Sequence, residues 1–274
     1  MTLKIDPQWR AALQARANQL PLRRRMPLLW RQHVIGSVEA DFFDSLISQQ
    51  PTLARELLQL EHCGSGSHWR LLGDATPVLQ ALADALREQG AGRVRQHWRN
   101  EQLAVCDAQG QRIARVERGI CRPLGMATCA VHLVGCCKDG RFWVQQRSLD
   151  KANDPGLWDT LMGGMVSAQD SLESALARET WEEAGLRIDM LTDLRRGGEV
   201  LLRKPSSDGA DAGYVVERVD WYRCTVPDGV QPINQDGEVA QFALLEVPAL
   251  IERLQRDEFT TEAALILECA LGAA

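Results

Sequence analysis

The sequence predicts a protein of the α/β (α+β) class, and three observations support this prediction. Residues 127–137 are almost continuously apolar, which is typical of a strand buried on both faces of a sheet. Residues 102–107 and 111–117 flank Ala-Gln-Gly and are typical of a β-hairpin. Between Asp74 and Gly90, apolar residues recur at helical spacing, which indicates an amphipathic helix.

The N-terminal part of the chain alternates helix and strand signals and contains no motif that indicates chemistry. Its predicted elements are, in order, a helix from the Asp6 cap to about Gln19, one strand at 27–35, helices at 40–49 and 52–60 separated by Pro51, a loop at 63–67, a strand at 69–72, the helix that Asp74 caps and Gly90 ends, and the hairpin. We therefore divide the chain into an N-terminal α+β extension without an assigned role, residues 1–118, and a second domain, residues 119–274.

The predicted second domain contains most of the extended segments. Its elements are, in order, the strand at 127–137, a turn at 138–140, a strand at 141–147, a loop at 151–156, an extended segment at 157–166 that contains paired glycines, strands at 199–204 and 213–226 around a polar loop at 206–212, a helix that begins near Val247, and an apolar helix at 259–272. The stretch that indicates a chemical function begins at the paired glycines.

Composition and charge narrow the class of function. With 45% apolar and 25% charged residues among 274, the chain has the composition of a soluble globular protein. Its net charge of −6 provides no basic surface for a nucleic acid, no run of about 18 apolar residues predicts a membrane span, and the N-terminus lacks the apolar core of a secretory signal. Eight cysteines without a C-x-x-C pair are expected to be free thiols, so we expect a cytoplasmic protein.

The stretch at 163–186 places three carboxylates on one side of a predicted helix. Glu179, Glu182 and Glu183 are related by the i, i+3 and i+4 spacing that shares a helix face. Like charges at this spacing destabilise a helix, so we expect a divalent cation between them. Oxygen ligands without nearby His or Cys favour Mg²⁺ or Mn²⁺. The alternative is an ordinary solvated, glutamate-rich helix surface.

The fixed spacing of the glutamates with Gly164, Arg178 and Gly185 makes that alternative the weaker one. The stretch resembles the signature box of the Nudix hydrolases, G-x5-E-x7-R-E-U-x-E-E-x-G-U, where U is a bulky aliphatic residue. Two positions depart from the box: Asp170 stands where the family has glutamate, and Thr180 replaces the first aliphatic residue. The resemblance implies the Nudix α-β-α sandwich with a mixed sheet. It also implies that Asp170, Arg178 and Gly185 support the box, with Asp170 pairing to Arg178 through a shifted loop.

A broader resemblance covers roughly residues 100–270. It concerns the Nudix branch related to the Nudix region fused to thiamine pyrophosphokinase in some fungi. The stretches that carry it are Val116-Glu117-Arg118, Ala130-Val131-His132-Leu133, Trp143 to Ser148, Lys151, Pro155 to Asp159, Asp236 to Val239 with Phe242, and Glu258-Phe259. This resemblance implies hydrolysis of a small organic diphosphate, thiamine diphosphate or its oxidised oxy and oxo forms, to a monophosphate and inorganic phosphate.

The resemblance implies roles for individual acidic residues. Glu179, Glu182 and Glu183 are expected to bind the metal ion, with the carbonyl oxygen of Gly164 as a further ligand. Nudix hydrolases commonly recruit a late acidic residue as a ligand or general base. Glu238 is the candidate for that role because it follows the core strands in a turn-like Asp-Gly-Glu sequence.

Other residues outside the box are expected to contact the substrate. Arg147 and Lys151 are candidates to bind the diphosphate, with surface solvation as the alternative. Trp158 is a candidate to stack on an aromatic substrate ring, with core packing as the alternative. Glu199 is the second candidate for the late acidic residue, and His132 is expected to be a core histidine. The predicted partner is a small-molecule diphosphate, and a homodimer is the general expectation for a soluble protein.

Two other functions stay open at this stage. An isopentenyl diphosphate isomerase-like enzyme has the same fold and acts on a diphosphate, but it needs a catalytic Cys and a Glu in the pocket, whereas the complete R-E-x-x-E-E pattern is that of the hydrolases. A non-catalytic Nudix-fold ligand sensor is expected to lack the glutamates. Phosphate release from a panel of diphosphates with Mg²⁺ distinguishes hydrolysis, isomerisation and binding without turnover.

Overall fold

The computed structural model of the chain describes residues 5–64, 66–88, 98–206 and 213–272. The helices are α1 (Pro7–Ala17), α2 (Asp44–Gln49), α3 (Pro51–Leu57), α4 (Ala75–Glu88), α5 (Arg118–Cys121), α6 (Leu172–Ala184), α7 (Val247–Gln255) and α8 (Thr261–Gly272). The strands are β1 (Arg25–Trp30), β2 (His33–Glu39), β3 (Leu58–Cys63), β4 (Gly66–Leu71), β5 (Gln102–Cys106), β6 (Arg112–Glu117), β7 (Ala127–Cys136), β8 (Phe142–Arg147), β9 (Trp158–Asp159), β10 (Met162–Met165), β11 (Thr192–Pro205), β12 (Tyr214–Thr225) and β13 (Val239–Leu245). The predicted helix end at Gly90 and most of the predicted polar loop at 206–212 lie outside the described residues.

The N-terminal part forms a four-stranded sheet in the order β2-β1-β4-β3, and it corrects two sequence predictions. The predicted single strand at 27–35 is an antiparallel hairpin, β1 and β2, that turns at Arg31, where φ is +52°. The predicted helix at 52–60 ends at Leu57, and the next residues form β3, which pairs with β4. Leu58 pairs with Leu71 and Leu60 pairs with Trp69 in the antiparallel ladder, so the partner strand makes this short segment a strand.

The second sheet is mixed and has seven strands. Its main order is β11-β12-β7-β8-β13, with β10 paired to β7 and β9 paired to β8. Strand β12 runs parallel to β7, whereas the other pairs in this sheet are antiparallel. The predicted mixed α+β class is therefore confirmed, and β11 begins seven residues earlier than the predicted strand at 199–204.

Helices cover both faces of the seven-stranded sheet. Ala130 and Val134 of β7 belong to a core cluster with residues of α1, α7 and α8. Val131 and Leu133, which alternate with them along the same strand, belong to a cluster with residues of α6. Successive side chains of a strand point to opposite faces, so the sheet lies between two helical layers. This is the expected α-β-α sandwich.

The N-terminal part contacts the loop that precedes α6. Leu103 of β5 forms a bridge with Ser167, and the backbone N–H of Ala168 donates to the carbonyl of Gln102 at 2.7 Å. The Arg112 guanidinium donates to the carbonyl of Ala168 at 3.0 Å and also to that of Asp170. The β5–β6 hairpin thus holds the segment that contains Asp170. The division at residues 118 and 119 stays a prediction.

No helix in the described part of the chain combines the length and the apolar character that a membrane span requires.

Candidate active site

Helix α6 is defined at both ends by local sequence. At its start, the Ser171 hydroxyl accepts from the N–H of Ser174 at 3.1 Å, and the Ser174 hydroxyl accepts from the N–H of Ser171 at 2.8 Å. This reciprocal pair satisfies backbone donors that a helix leaves unpaired. At its end, Gly185 has φ of +62°, a conformation that favours glycine. The predicted helix and its stop at Gly185 are both present.

The three glutamates of α6 line one cavity of about 280 Å³. The Glu183 side chain is 2% exposed, that of Glu179 is 13% exposed and that of Glu182 is 42% exposed. Burial raises the pKa of Glu179 to about 7, because the cost of removing the carboxylate from water exceeds the stabilisation that Arg178 provides. Helix α6 therefore presents two largely buried carboxylates and one partly exposed carboxylate to the same cavity.

Glu183 is held by donors at the base of the cavity. Its Oε2 accepts from Gln145 Nε2 at 2.7 Å and from the N–H of Gly163 at 3.0 Å. Lys151 Nζ lies 3.7 Å from the other carboxylate oxygen. Burial still raises the pKa of Glu183 above its ordinary value despite these contacts. Among the described residues, the buried Oε1 atom of Gln145 has no hydrogen-bond partner.

Position 164 has room only for a residue without a side chain. A Cβ atom at Gly164 would lie 2.0 Å from Glu179 Cδ, and one at Gly163 would lie 2.4 Å from His132 Cε1. Both distances are far below a van der Waals contact. The paired glycines of β10 therefore let the Glu179 carboxyl and the His132 ring approach the backbone.

Arg178 connects the box helix to its preceding loop. Its guanidinium donates to Asp170 Oδ2 at 2.8 and 3.1 Å, to Glu179 Oε1 at 2.8 Å and to Glu182 Oε2 at 2.9 Å. Partial burial disfavours the Asp170 carboxylate, but the hydrogen bonds from Arg178 outweigh it and hold the pKa of Asp170 below its usual value. The pairing expected for Asp170 is present. The shorter aspartate reaches Arg178 in a loop that Arg112 also holds.

Thr180, the second departure from the box, is fully buried. Its hydroxyl donates to the carbonyl of Leu176 at 2.6 Å within the same helix. The polar group is therefore satisfied locally, and the position faces away from the cavity that the glutamates line.

Replacing Asp170 with asparagine is expected to lower kcat about tenfold. The substitution removes a charge-assisted pair, so Arg178 is expected to shift toward Glu179 and Glu182. Steady-state kinetics with Mg²⁺ measure the effect. The matched control is Asp189→Asn, which breaks an exposed Asp–Arg pair and is expected to change kcat little. Equal kcat values for the two variants would contradict a supporting role for Asp170.

Lys151, Arg147 and Glu238 also line the cavity. Lys151 forms an ion pair with Glu238 and lies between that residue and Glu183. Burial lowers the pKa of Lys151. Arg147 donates to the carbonyl of Asn153 at 3.0 Å and lies 3.5 Å from an oxygen of Asp159. The structure thus brings three predicted residues from distant segments to the box glutamates.

Trp158 and Glu199 are not part of this cavity wall in the described structure. Trp158 is 8% exposed and packs in the core beneath α8, with the Arg253 guanidinium 4.7 Å from its ring centroid. The stacking role predicted for Trp158 is corrected to the alternative, core packing, because the ring faces the helical layer. Glu199 pairs with Arg196 on the surface.

His132 is a buried and hydrogen-bonded histidine, as expected. Its Nδ1 lies 2.9 Å from the Thr160 hydroxyl and 3.4 Å from Asp159. Burial disfavours the imidazolium, but the Asp159 carboxylate outweighs this effect, and the pKa of His132 lies above its ordinary value.

Several residues that line the cavity were missed by sequence reasoning because they belong to no motif. They are Glu101, Arg118, Arg122, Asp159, Glu217 and Glu262. Arg118 and Asp159 lie in stretches that carried the broader resemblance, and this was the signal in the sequence that pointed to them. Arg118 pairs with Glu101 at 2.7 Å, and both residues precede or adjoin the predicted boundary at 118. The N-terminal part therefore contributes side chains to this cavity.

The cavity wall is rich in hard oxygen donors. Glu179, Glu182, Glu183 and Glu238 all face it. Within the described ranges, no group of three or more His, Cys, Asp or Glu side chains is placed so that it could hold a metal ion. The carboxylates are instead turned toward Arg178 and Lys151. The donors are of the type that binds Mg²⁺ or Mn²⁺.

A mixed sheet between helical layers, with a glutamate-rich helix at a cavity, defines a recognised class of domain. The sequence model of the NUDIX domain matches residues 127–266, which is more than half of the chain. The chain therefore belongs to the Nudix domain family, as its sequence predicted.

Three curated relatives illustrate the range of similarity. An uncharacterised protein of Saccharomyces cerevisiae is 27% identical over 183 residues, which cover 62% of this chain and 53% of the yeast protein. An uncharacterised Nudix hydrolase of Pseudomonas aeruginosa is 33% identical over 93 residues, 34% of this chain and 55% of that protein. An isopentenyl-diphosphate Delta-isomerase of Streptomyces avermitilis is 26% identical over 170 residues, 61% of this chain and 82% of the isomerase. The chain spans about half the length of the first two relatives.

Proposed function

We propose that the protein hydrolyses a phosphoanhydride bond in a small organic diphosphate, with Mg²⁺ or Mn²⁺ as cofactor. The observation that carries this proposal is the cavity in which the three glutamates of α6 face Arg147, Lys151 and Glu238. The cavity wall combines carboxylate ligands for a divalent metal ion with positively charged side chains for the phosphate oxygens. Membership of the Nudix family and similarity to a Nudix hydrolase support the same reaction.

The residues present fit a divalent cation on three grounds. Burial raises the pKa values of Glu179 and Glu183, so the protein alone does not fully compensate their charges. The Glu179 carboxyl fits against Gly164 only because that residue lacks a Cβ atom. The unpaired Oε1 of Gln145 adds a buried oxygen beside Glu183. We propose Glu179, Glu182, Glu183 and the carbonyl of Gly164 as ligands.

The chain's own residues would bind and orient the diphosphate. When bound, a divalent ion supplies positive charge to the diphosphate oxygens and to the attacking water. Arg147 and Lys151 also line the cavity and would add positive charge beside the diphosphate oxygens. Because Lys151 also pairs with Glu238, binding of phosphate by Lys151 would free that carboxylate to accept a proton from water. Glu238 is therefore the proposed general base.

Thiamine diphosphate and its oxidised oxy and oxo forms are the proposed substrates. Their hydrolysis would release a monophosphate and inorganic phosphate. The support is the resemblance to the Nudix region fused to thiamine pyrophosphokinase. The proposal includes a cytoplasmic location, which free thiols at all eight cysteines support. A homodimer and the absence of nucleic-acid and membrane partners stay predictions.

Isomerisation of isopentenyl diphosphate is the second candidate, because several curated relatives are isopentenyl-diphosphate Delta-isomerases. That chemistry needs a cysteine in the pocket. Among the described residues that line the glutamate cavity, none is a cysteine. The cavity therefore favours hydrolysis. A ligand sensor is disfavoured because the glutamates are complete.

A substrate panel tests these functions directly. The purified protein is incubated with Mg²⁺ and thiamine diphosphate, oxythiamine diphosphate, ADP-ribose or isopentenyl diphosphate. Inorganic phosphate and organic monophosphates are then measured. Metal-dependent cleavage of a diphosphate supports the proposal, and EDTA is expected to abolish it. Double-bond isomerisation without cleavage, or tight binding without turnover, would contradict it.

A further inference from the structure

A second cavity adjoins the one that the glutamates line. It also measures about 280 Å³, and the two cavities share Lys151, Asp236 and Glu238 in their walls. The second cavity is otherwise lined by Trp98 and Arg99 of the N-terminal part and by residues of the loop at 148–152. A ligand that reaches past Lys151 would therefore occupy both spaces.

Trp98 is held in place by the N-terminal part. The Arg87 guanidinium lies 4.5 Å from the centroid of its ring, and the ring packs against the core of the four-stranded sheet. The backbone N–H of the next residue, Arg99, donates at 3.0 Å to the buried carboxylate of Glu117. The indole is thus anchored before a ligand arrives, which lowers the entropy cost of binding.

Trp98 is the aromatic side chain suited to stack on a ligand in this region. Among the described residues that line the two cavities, it is the sole Trp, Tyr or Phe. The other candidate, Trp158, is buried in the core. Stacking on an aromatic platform accepts any planar ring, so stacking alone does not select the ligand.

We propose that the Trp98 cavity binds the organic group of the substrate and that this group contains a planar heteroaromatic ring. The diphosphate would then lie in the adjoining cavity, against Lys151 and the glutamates. This inference rests on the proposed hydrolysis for the position of the diphosphate. It assigns a role to the N-terminal extension: Trp98 sets the specificity of a reaction whose machinery lies in the Nudix domain.

Kinetics of Trp98 variants test the proposal. Trp98→Leu keeps apolar bulk and removes the ring, whereas Trp98→Phe keeps an aromatic face. For thiamine diphosphate, Trp98→Leu is expected to raise KM about tenfold with little change in kcat, and Trp98→Phe is expected to stay within about threefold of wild type. For isopentenyl diphosphate, which has no ring, neither variant is expected to change KM. Trp181→Ala is the control, because Trp181 is half exposed and lines neither cavity.

The outcomes separate this proposal from the proposed function. If the wild type cleaves diphosphates but Trp98→Leu alters ring-bearing and ring-free substrates equally, or alters neither, the subsite is refuted while hydrolysis stands. Calorimetric binding of thiamine monophosphate, which has no phosphoanhydride bond, tests the subsite independently of turnover. A Kd unchanged in Trp98→Leu would overturn the proposal. A Kd about tenfold weaker supports it, even if the wild type cleaves none of the diphosphates.

Discussion

Replacing Glu182 with glutamine is expected to lower kcat about a thousandfold, which corresponds to roughly 4 kcal/mol of activation free energy. The substitution removes one negative charge from the proposed metal site and preserves the shape of the side chain. Because the Glu182 side chain is 42% exposed, the fold is expected to persist. Phosphate release under saturating Mg²⁺, with thermal melting as a check on the fold, measures both effects.

Glu183→Gln is expected to cause a similar loss for a different structural reason. Glu183 is buried, and its carboxylate accepts from the N–H of Gly163, a bond that the amide oxygen of glutamine can also accept. Removing a buried charge relieves a desolvation cost, so the metal-free melting temperature is expected to stay within about 4 °C of wild type. The stabilisation that Mg²⁺ gives the wild type is expected to disappear.

Glu173→Gln is the matched control for both variants. Glu173 lies in the first turn of the same helix and is exposed, outside the glutamate cavity. Its kcat is expected to equal that of wild type. Full activity of both Glu182→Gln and Glu183→Gln in Mg²⁺ would refute the proposed role of these carboxylates.

Gly164→Ala is the second substitution with a large expected effect. Its Cβ atom would lie 2.0 Å from Glu179 Cδ, so the Glu179 carboxyl must move away from its present position. A displacement of about 1 Å at a catalytic group costs on the order of a hundredfold in rate. We therefore expect kcat to fall at least about a hundredfold, and the affinity for Mn²⁺, measured by electron paramagnetic resonance, to fall with it.

Gly272→Ala is the control for the glycine substitution. A Cβ atom at Gly272, at the end of α8, would meet no atom within 4 Å. Its activity and Mn²⁺ affinity are expected to equal those of wild type. If Gly164→Ala retained wild-type activity, the close approach of Glu179 to the backbone would be irrelevant to catalysis.

Local features of the site were predicted from the sequence because short-range geometry determines them. The face shared by Glu179, Glu182 and Glu183 follows from the pitch of a helix, and the stop at Gly185 follows from its left-handed conformation. The ion pair of Asp170 and Arg178 was also expected, because the resemblance to the Nudix box implied it. Family membership followed from the same stretch.

Predictions that depended on distant partners were less successful. The segment at 58–60 was included in the predicted helix at 52–60, but pairing with β4 makes it a strand. Trp158 was a candidate to stack on a substrate ring, with core packing as the alternative, and its packing with α8 buries it. In both cases a contact made across the fold outweighed the local signal.

The sequence by itself determined the family and the carboxylates proposed to bind metal, because these depend on spacing within one helix and its flanking turns. The resemblance to that family then implied the α-β-α sandwich. Tertiary structure decided what surrounds the carboxylates. Lys151 and Glu238 are 87 residues apart and meet as an ion pair. Trp98 belongs to no motif, and it reaches the second cavity because the N-terminal part packs against the Nudix domain. Side chains that meet only through folding leave no periodic pattern in a chain, so the residues that the N-terminal part contributes to the cavities were not predicted.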